Sequence, residues 1–301
     1  MQGKDTTKST FFQLFEPIFQ GGVFKWLNEQ LNVDRYVKKF TTAKFFMLIV
    51  LAQLEQHRGL RDISSSLNDS NLSQSLGLNS ISHSQISRKL CNLPTKAVHV
   101  LFQHIIRKAG IQMGFENVRK ILGQIYLIDS STISLSLTRY RWAEFRKTTS
   151  GIKLHLRLRF FGQGFLPDEA IVTSAKPADK TQMDNLVVEE KGALNVFDRA
   201  YVDYEKFDLY CEKDIRFVTR LKSNAVLEAV SELSVMPGNN IKRDRIVILG
   251  KGRKKMKHPL RLIETEDTEG KPVVILTNDF VMSAEEIGEI YRCRWQIGVS
   301  S

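Results

Sequence analysis

The sequence predicts an α/β protein preceded by an all-α domain, and two changes of pattern carry this prediction. From Thr10 to about Lys120, apolar residues recur every three or four positions, and glycine or proline interrupts the pattern between segments. After Gly123 the period falls to two, which is typical of strands. Strand-like and helix-like segments then alternate, which favours a mixed sheet. We therefore expect a helical domain over residues 1–120 and an α/β domain over residues 121–301.

The elements of the second domain are predicted from short segments. Strands are expected at residues 124–128, 153–160, 170–173, 194–197 and 216–221, with a helix between Asp203 and Cys211. A β-rich insert over about 223–280 is predicted from three more strand signals, at residues 245–249, 260–264 and 273–276. Ser283 and Glu286 then form an S-x-x-E capping box, so a last helix should run to about Ile297.

The composition is that of a folded protein with a basic surface. Of 301 residues, 42% are hydrophobic and 26% are charged, which matches ordinary globular proteins. The 44 Lys and Arg outnumber the 33 Asp and Glu, so the net charge is +11 and the pI is about 9.5. Nucleic acid is therefore the expected partner. A basic protein that uses its charge only for solubility is the alternative that composition leaves open.

Cysteine and hydropathy patterns restrict the class further. Cys91, Cys211 and Cys293 lie far apart without a C-x-x-C pair, which argues against a zinc knuckle or a disulfide framework. No apolar run approaches the roughly 18 to 20 residues that span a bilayer, and the N-terminus lacks a signal-peptide core. We expect a reducing cytoplasm and no membrane partner. Motifs for a nucleotide cofactor or a zinc hydrolase are absent from the sequence.

Two aspartates that follow predicted strands are the candidate catalytic residues. Asp129 comes after residues 124–128, and Asp198 comes after residues 194–197. If the two strands are neighbours, both carboxylates meet at their ends and suit Mg²⁺, which binds carboxylates together with substrate phosphates. Two such ions can drive in-line cleavage of a phosphodiester. The simpler interpretation of each residue taken singly is a turn or capping aspartate.

Three motifs resemble those of the bacterial DDE transposases of the insertion-sequence-four family. YLIDSST surrounds Asp129, and VFDRAY surrounds Asp198. YRCRWQI is similar to the start of the family signature Y-(2)-R-(3)-E-(6)-K, with Tyr291 and Arg294 at its first two positions. The resemblance implies a ribonuclease-H-like fold with Asp129 and Asp198 as catalytic metal ligands for Mg²⁺, or for Mn²⁺ as a substitute. It also implies cleavage and strand transfer at the ends of an insertion sequence.

The same resemblance implies partners and a location. Double-stranded DNA is expected as both insertion-sequence end and target, with Tyr291 and Arg294 contacting it near the cleaved end. A homo-oligomer is expected in the DNA complex, and no ATP is required. The expected setting is the bacterial cytoplasm, in association with the nucleoid.

The third motif departs from the family pattern at its next position. Glutamate belongs at position 298 and lysine at position 305, whereas this sequence has Gly298 and ends at Ser301. Positions 291, 294 and 298 would share one helix face, so the family glutamate would face the same site. We therefore expect a frame interruption or truncation inside the motif, and a loss of activity because the third carboxylate is missing.

A helix-turn-helix is the candidate for DNA recognition in the first domain. Residues 59–63 and 82–90 have the pattern of two helices joined by a polar connection. Gln85, Arg88 and Lys89 on the second helix suit phosphates and base edges. The alternative is a pair of ordinary helices in a bundle.

A dense basic run, residues 251–258, lies between two predicted strands. Its Lys254 and Lys255 are candidates for gripping the DNA backbone. A solvated hairpin tip explains such a run equally well.

The sequence leaves two other functions open beside transposition. One is a non-catalytic DNA-binding remnant that occupies the ends of the element or inhibits intact subunits. The other is an unrelated metal-dependent nuclease of the same fold, which would cleave DNA without regard to transposon ends.

Overall fold

The structure divides the chain into two compact units, residues 1–112 and residues 113–301. It is a computed structural model that describes residues 10–15, 18–19, 22–112, 124–136, 138, 140–146, 149–160, 164–222, 224–235, 240–267 and 269–298. The predicted boundary near residue 120 lies outside these ranges. Within them, no helix is both long and apolar enough to cross a membrane.

The first unit consists of helices, as the three-to-four-residue period predicts. They are α1 (Gly22–Leu31), α2 (Thr42–Leu54), α3 (Leu60–Ser66), α4 (Ser70–Leu76), α5 (His83–Asn92) and α6 (Thr95–Gln112). The Thr41 hydroxyl accepts the N–H of Lys44 and so caps α2. Leu48 and Leu51 of α2 lie in the buried apolar cluster of this unit. The expectation of an all-α domain is confirmed for its described residues.

The connection inside the predicted helix-turn-helix contains a helix of its own. Between α3 and α5 lies α4, where the Asp69 carboxylate accepts the N–H groups of Asn71 and Leu72. The connection is polar as predicted, but the two-helix outline is wrong here, because a third helix lies between the two. Its sequence signal is weak because α4 is short and polar, and only Leu72 and Leu76 are buried.

The second unit is formed around a single sheet, with ten strands among the described residues. They are β1 (Gln124–Leu135), β2 (Glu144–Arg146), β3 (Thr149–Phe160), β4 (Phe165–Ser174), β5 (Ala193–Phe197), β6 (Arg216–Arg220), β7 (Leu227–Glu232), β8 (Arg243–Leu249), β9 (Leu260–Glu266) and β10 (Pro272–Thr277). Their order is β2-β3-β1-β5-β6-β10-β9-β8-β7, with β4 also paired to β3. β1, β5 and β6 are parallel, whereas β3 and β4 form an antiparallel meander with β1. This is the ribonuclease-H-like mixed sheet that the resemblance implies.

The β-rich insert is confirmed, and it continues the same sheet. β7 to β10 pair antiparallel with one another, and β10 pairs with β6 through residues 275–277. Its strands therefore widen the sheet beyond β6 and do not form a separate layer. Local sequence patterns predict the strands but not this attachment.

Helices pack on both faces of the sheet. They are α7 (Met183–Leu186), α8 (Tyr204–Glu212) and α9 (Ala284–Gly298). Side chains of a strand alternate between the two faces. Ile128 of β1 lies in a buried cluster with Phe207 of α8, and Leu127 lies in another with Tyr291 of α9. The two faces can therefore be named by α8 and α9.

The capping box predicted before the last helix is present. The Ser283 N–H donates to Oε2 of Glu286 at 2.8 Å, and the Glu286 N–H donates to the Ser283 hydroxyl at 3.2 Å. α9 ends at Gly298, one residue beyond the predicted Ile297. The rest of the tail, residues 299–301, lies outside the described residues.

Candidate active site

Asp129 and Asp198 lie side by side where the parallel pairing of β1 with β5 stops. The last pair in the register is Ile128 with Phe197, so the two aspartates follow on neighbouring strands. Such strands lie about 4.8 Å apart, and residues level with each other point to the same face. β1 itself continues to Leu135, paired with β3. Asp129 therefore lies inside its strand and not at the predicted strand end, because only the pairing with β5 ends there.

Alternation along the strands directs both aspartates to the α9 face. Leu127 and Val196, two positions earlier, lie in the buried cluster that contains Tyr291 of α9. Arg294 follows Tyr291 by three residues, which places it on the same side of the helix. The Arg294 side chain is 10% exposed. The helix face that packs on the strands therefore carries Arg294 to the aspartates.

The Arg294 guanidinium lies between the two carboxylates. Its Nη1 is 3.7 Å from Oδ1 of Asp129, and its Nη2 is 3.2 Å from Oδ2 of Asp198. Because both nitrogens belong to one rigid fork, the contacted oxygens are at most about 9 Å apart. The two aspartate side chains are 32% and 30% exposed, so the pair is open to solvent.

The environments of the two carboxyl groups differ. Burial raises the pKa of Asp129, while the Arg294 guanidinium acts in the opposite direction. Asp198 instead accepts the N–H of Ala200 through Oδ1 at 3.0 Å and caps the short turn that follows β5. Asp198 therefore caps this turn through one oxygen and pairs with Arg294 through the other.

Tyr291 is fully buried and supports Arg294. Its side chain is 0% exposed, and the Arg294 guanidinium carbon lies 5.4 Å from the centre of its ring. This distance allows a cation–π contact. Burial raises the pKa of the Tyr291 phenol, which keeps the hydroxyl protonated. A direct contact between Tyr291 and DNA would require α9 to move.

Another group of polar side chains lies on the α8 face, and no sequence motif indicates it. His155 is buried, and its ring nitrogens lie 3.2 Å from the Tyr201 hydroxyl and 3.1 Å from the Thr173 hydroxyl. The Asp179 carboxylate is 2.9 Å from the Lys153 ammonium and 3.9 Å from Nδ1 of His155. Burial lowers the pKa of His155 and so favours its neutral form. The alternating pattern of β3 places His155 on this face but does not reveal the helices that cover it.

The two aspartates fit part of a metal site for a hard divalent ion. Mg²⁺ is usually held by one or two carboxylates, with water and substrate phosphates completing its shell. Asp129 and Asp198 supply two carboxylates from adjacent strands. Within the described ranges, no group of three or more His, Cys, Asp or Glu side chains is placed to hold a metal. Position 298, one turn after Arg294 on α9, is glycine and adds no ligand.

Residues 121–297, which include both aspartates and most of α9, match the model of the Transposase DDE domain. The chain belongs to the Transposase DDE domain family. A second family model, a domain of unknown function (DUF4372), matches residues 6–78 of the chain.

Two curated relatives of this DDE transposase chain are also named as transposases. The one for insertion sequence element IS5377 of Geobacillus stearothermophilus is 24% identical over 264 residues, which cover 87% of this chain and 67% of the relative. The transposase y4zB of Sinorhizobium fredii (strain NBRC 101917 / NGR234) is 29% identical over 191 residues, which cover 62% of this chain and 52% of the relative. The chain thus spans about two thirds of the first relative and about half of the second.

A solved structure is similar over most of the DDE transposase chain. It is the synaptic complex of the piggyBac transposase with hairpin DNA, with a TM-score of 0.44 and 11% sequence identity. The match covers 96% of this chain and 66% of that one.

The α5 residues singled out for DNA contact differ in their availability in this family member. Arg88 is exposed. Gln85 is exposed as well, although its Oε1 accepts the Ser82 N–H at 3.0 Å in the capping box of α5. The Lys89 ammonium donates to the Asp34 carboxylate at 2.7 Å and to the backbone carbonyl of Val33 at 3.0 Å. A DNA contact by Lys89 would require it to leave both partners.

The basic run of the DDE domain forms a fixed turn between β8 and β9. The N–H groups of Lys257 and His258 donate to the Asp208 carboxylate of α8 at 3.0 and 2.9 Å. Gly250 has a φ of +86°, and a Cβ there would lie 2.0 Å from the Lys254 carbonyl oxygen. Only glycine fits at this position. The run is therefore held against α8.

The turn offers its lysines unequally. Lys254 and Lys255 are both exposed, but the Lys255 ammonium lies 2.5 Å from a carboxylate oxygen of Glu228. A cavity of about 760 Å³ opens between α8 and the turn, and its lining includes Lys222, Arg253, Lys254, Lys255 and Lys257. Four acids, Asp203, Glu205, Asp208 and Glu212, line it as well, so the cavity wall carries charges of both signs.

Proposed function

We propose that this chain is a DNA transposase of the insertion-sequence-four type, acting on the ends of an insertion sequence. The observation that carries the proposal is the convergence of Asp129 and Asp198 on adjacent strands of a Transposase DDE domain. Mg²⁺, or Mn²⁺ in its place, would activate the attacking oxygen and stabilise the leaving oxygen of a phosphodiester.

The residues of the site divide the remaining tasks. Asp129 and Asp198 are the catalytic metal ligands, since each presents a partly exposed carboxylate to the same space. Arg294 supplies positive charge where a scissile phosphate would bind, in keeping with the preference of guanidinium for phosphate oxygens. Tyr291 acts on DNA through Arg294, whose guanidinium lies over its ring.

DNA is the proposed partner of both units. Gln85 and Arg88, with Lys89 if it leaves Asp34, would read the ends of the element from α5. Lys254 and Lys255 would contact the backbone from the fixed basic turn. The net charge of +11 supports binding to a polyanion. A homo-oligomer on double-stranded DNA in the bacterial cytoplasm, at the nucleoid, completes the proposal.

Gly298 favours a second candidate function. Glycine stands where the family signature has its glutamate, so two carboxylates face Arg294 and a third is missing from that position. With an incomplete ligand set, we infer that catalysis by this chain is impaired by a factor of about a thousand or more. A chain that keeps the DNA-binding residues but cleaves poorly would act as a non-catalytic occupant of the ends, or as an inhibitor of intact subunits.

The test is cleavage of supercoiled DNA that carries the flanking ends of the element, with Mg²⁺ and then Mn²⁺. The chain is compared with a version in which the residues from Gly298 onward are replaced by a family-like helix that begins with glutamate. We expect cleavage at the ends by the restored version and little or none by the chain itself. Asp198→Asn in the restored version is the control, and it should abolish cleavage.

Each result assigns a role. Cleavage by the restored version that survives Asp198→Asn would overturn the assignment of Asp198. End-specific cleavage by the unaltered chain at a similar rate would overturn the inferred impairment, because another group would then supply the third ligand. Cleavage without regard to the ends would favour a general nuclease of the same fold.

A further inference from the structure

Arg294 pairs with carboxylates in an unusual way, because it lies between two aspartates. Arginine binds a carboxylate best through two parallel hydrogen bonds of about 2.7 to 2.9 Å to one acid. Here its two terminal nitrogens face different acids, at 3.7 Å from Asp129 and 3.2 Å from Asp198. Its Nε is buried and has no hydrogen-bond partner in the described part of the chain. The guanidinium is therefore shared between two acids and held loosely by both.

Charge explains why a cation is needed at this position. Two carboxylates on adjacent strands repel each other when both are ionised, and each is only about one-third exposed. Among the described residues, Arg294 is the cation that forms ion pairs with both of them. Its side chain is 10% exposed and lies over the buried ring of Tyr291. The fold thus holds one positive charge where the proposed metal would also be attracted.

We propose that Arg294 is an internal counter-ion that competes with the divalent metal for Asp129 and Asp198 in the DNA-free protein. The inference rests on the proposed function, because it takes these aspartates as the metal ligands. The guanidinium and a metal ion cannot both occupy the space between the two carboxylates. Each therefore weakens binding of the other by the same factor. Metal affinity in the absence of DNA is lowered by a residue of the chain itself.

The test is a titration of the full chain with Mn²⁺ in the absence of DNA. Binding is measured as the loss of the electron paramagnetic resonance signal of free Mn²⁺. Arg294→Gln removes the charge, Arg294→Lys keeps it, and Arg292→Gln is the matched control. Arg292 lies two residues away on α9 and pairs with Glu289. We expect Arg294→Gln to bind Mn²⁺ about tenfold more tightly than the wild type. Arg294→Lys and Arg292→Gln should stay close to the wild type.

Further variants separate the inference from the proposed function. Asp129→Asn and Asp198→Asn, each introduced into Arg294→Gln, should remove the gain in Mn²⁺ affinity. If Arg294→Gln binds no more tightly than the wild type while Asp129→Asn still weakens binding, the counter-ion inference is wrong and the metal site stands. If neither aspartate variant changes Mn²⁺ affinity, the metal site itself is wrong. Circular dichroism of every variant checks that the fold is kept. If Arg294→Gln unfolds, Arg294→Met takes its place, because it also removes the charge but keeps an apolar stem over the Tyr291 ring, and it should show the same gain in Mn²⁺ affinity.

Discussion

Two arginines of the second unit bind carboxylates in contrasting ways. Arg261 binds Asp244 through Nε at 3.0 Å and Nη2 at 2.6 Å, and its Nη1 donates to the Met282 carbonyl at 2.6 Å. Arg294 faces two acids at longer distances and has a buried Nε with no hydrogen-bond partner in the described residues. Arg261 and Arg294 are equally buried, at 7% and 9% exposed, but Asp244 is 3% exposed whereas the two acids beside Arg294 are about one-third exposed.

The difference separates a structural ion pair from an exchangeable one. The pair of Asp244 and Arg261 links β8 to β9 and fills the hydrogen-bonding geometry of a single carboxylate. Arg294 divides its terminal nitrogens between two partly exposed acids of neighbouring strands, at 3.7 and 3.2 Å. A metal ion could take its place without leaving a buried carboxylate unpaired. Burial and completeness of bonding therefore predict different consequences of mutation at the two sites.

The largest expected effect is at the structural pair. Asp244→Ala leaves the Arg261 charge buried without its partner, so we expect the free energy of unfolding of the second unit to fall by about 3 to 5 kcal/mol. Urea unfolding, monitored by circular dichroism, measures this loss of free energy of unfolding. Glu228→Ala is the control, because its pair with Lys255 is exposed and should contribute less than about 1 kcal/mol. Equal losses in the two variants would remove the distinction between buried and exposed pairs.

A smaller effect, with a pH signature, is expected at Asp279. Burial works to raise the pKa of this carboxyl, but the N–H of Met282 and the Arg216 guanidinium outweigh it, and the pKa is lowered. Its stabilising contribution is therefore present above the unfolded pKa of about 4 and is lost as pH falls through the lower folded pKa. Asp279→Asn should cost about 2 kcal/mol at neutral pH and much less in acid. The measurement is the free energy of unfolding of wild type and variant as a function of pH. A difference between the two that does not shrink as the pH falls below 4 would contradict this.

The smallest expected effect on stability is at the exchangeable pair. Without divalent metal, Arg294→Gln should change the free energy of unfolding by about 1 kcal/mol or less, because its partners are solvated and its contacts are long. Chemical unfolding in a chelating buffer, beside Asp244→Ala, gives the measurement. A loss as large as that of Asp244→Ala would show that Arg294 is a structural residue, and the contrast between the two arginines would disappear.

Much of the architecture follows from local signals in the sequence. The change from a helical to an alternating period after Gly123 predicts the helical first unit and the α/β second unit. The capping box at Ser283 predicts the start of α9, because the hydroxyl and the Glu286 carboxylate satisfy N–H groups within one turn. The strands of the insert are also predicted. Short polar helices such as α4 are missed, because seven residues with two buried leucines carry little periodicity.

By itself, the sequence determined which segments become strands and helices and where the two aspartates lie along the chain, because these depend on neighbours a few residues away. The tertiary structure decided that β1 lies beside β5, which brings Asp129 next to Asp198 although they are far apart in sequence. It also decided that the insert extends the sheet and that α9 carries Arg294 between the two carboxylates. These features arise from pairing and packing between distant segments, which no local pattern encodes.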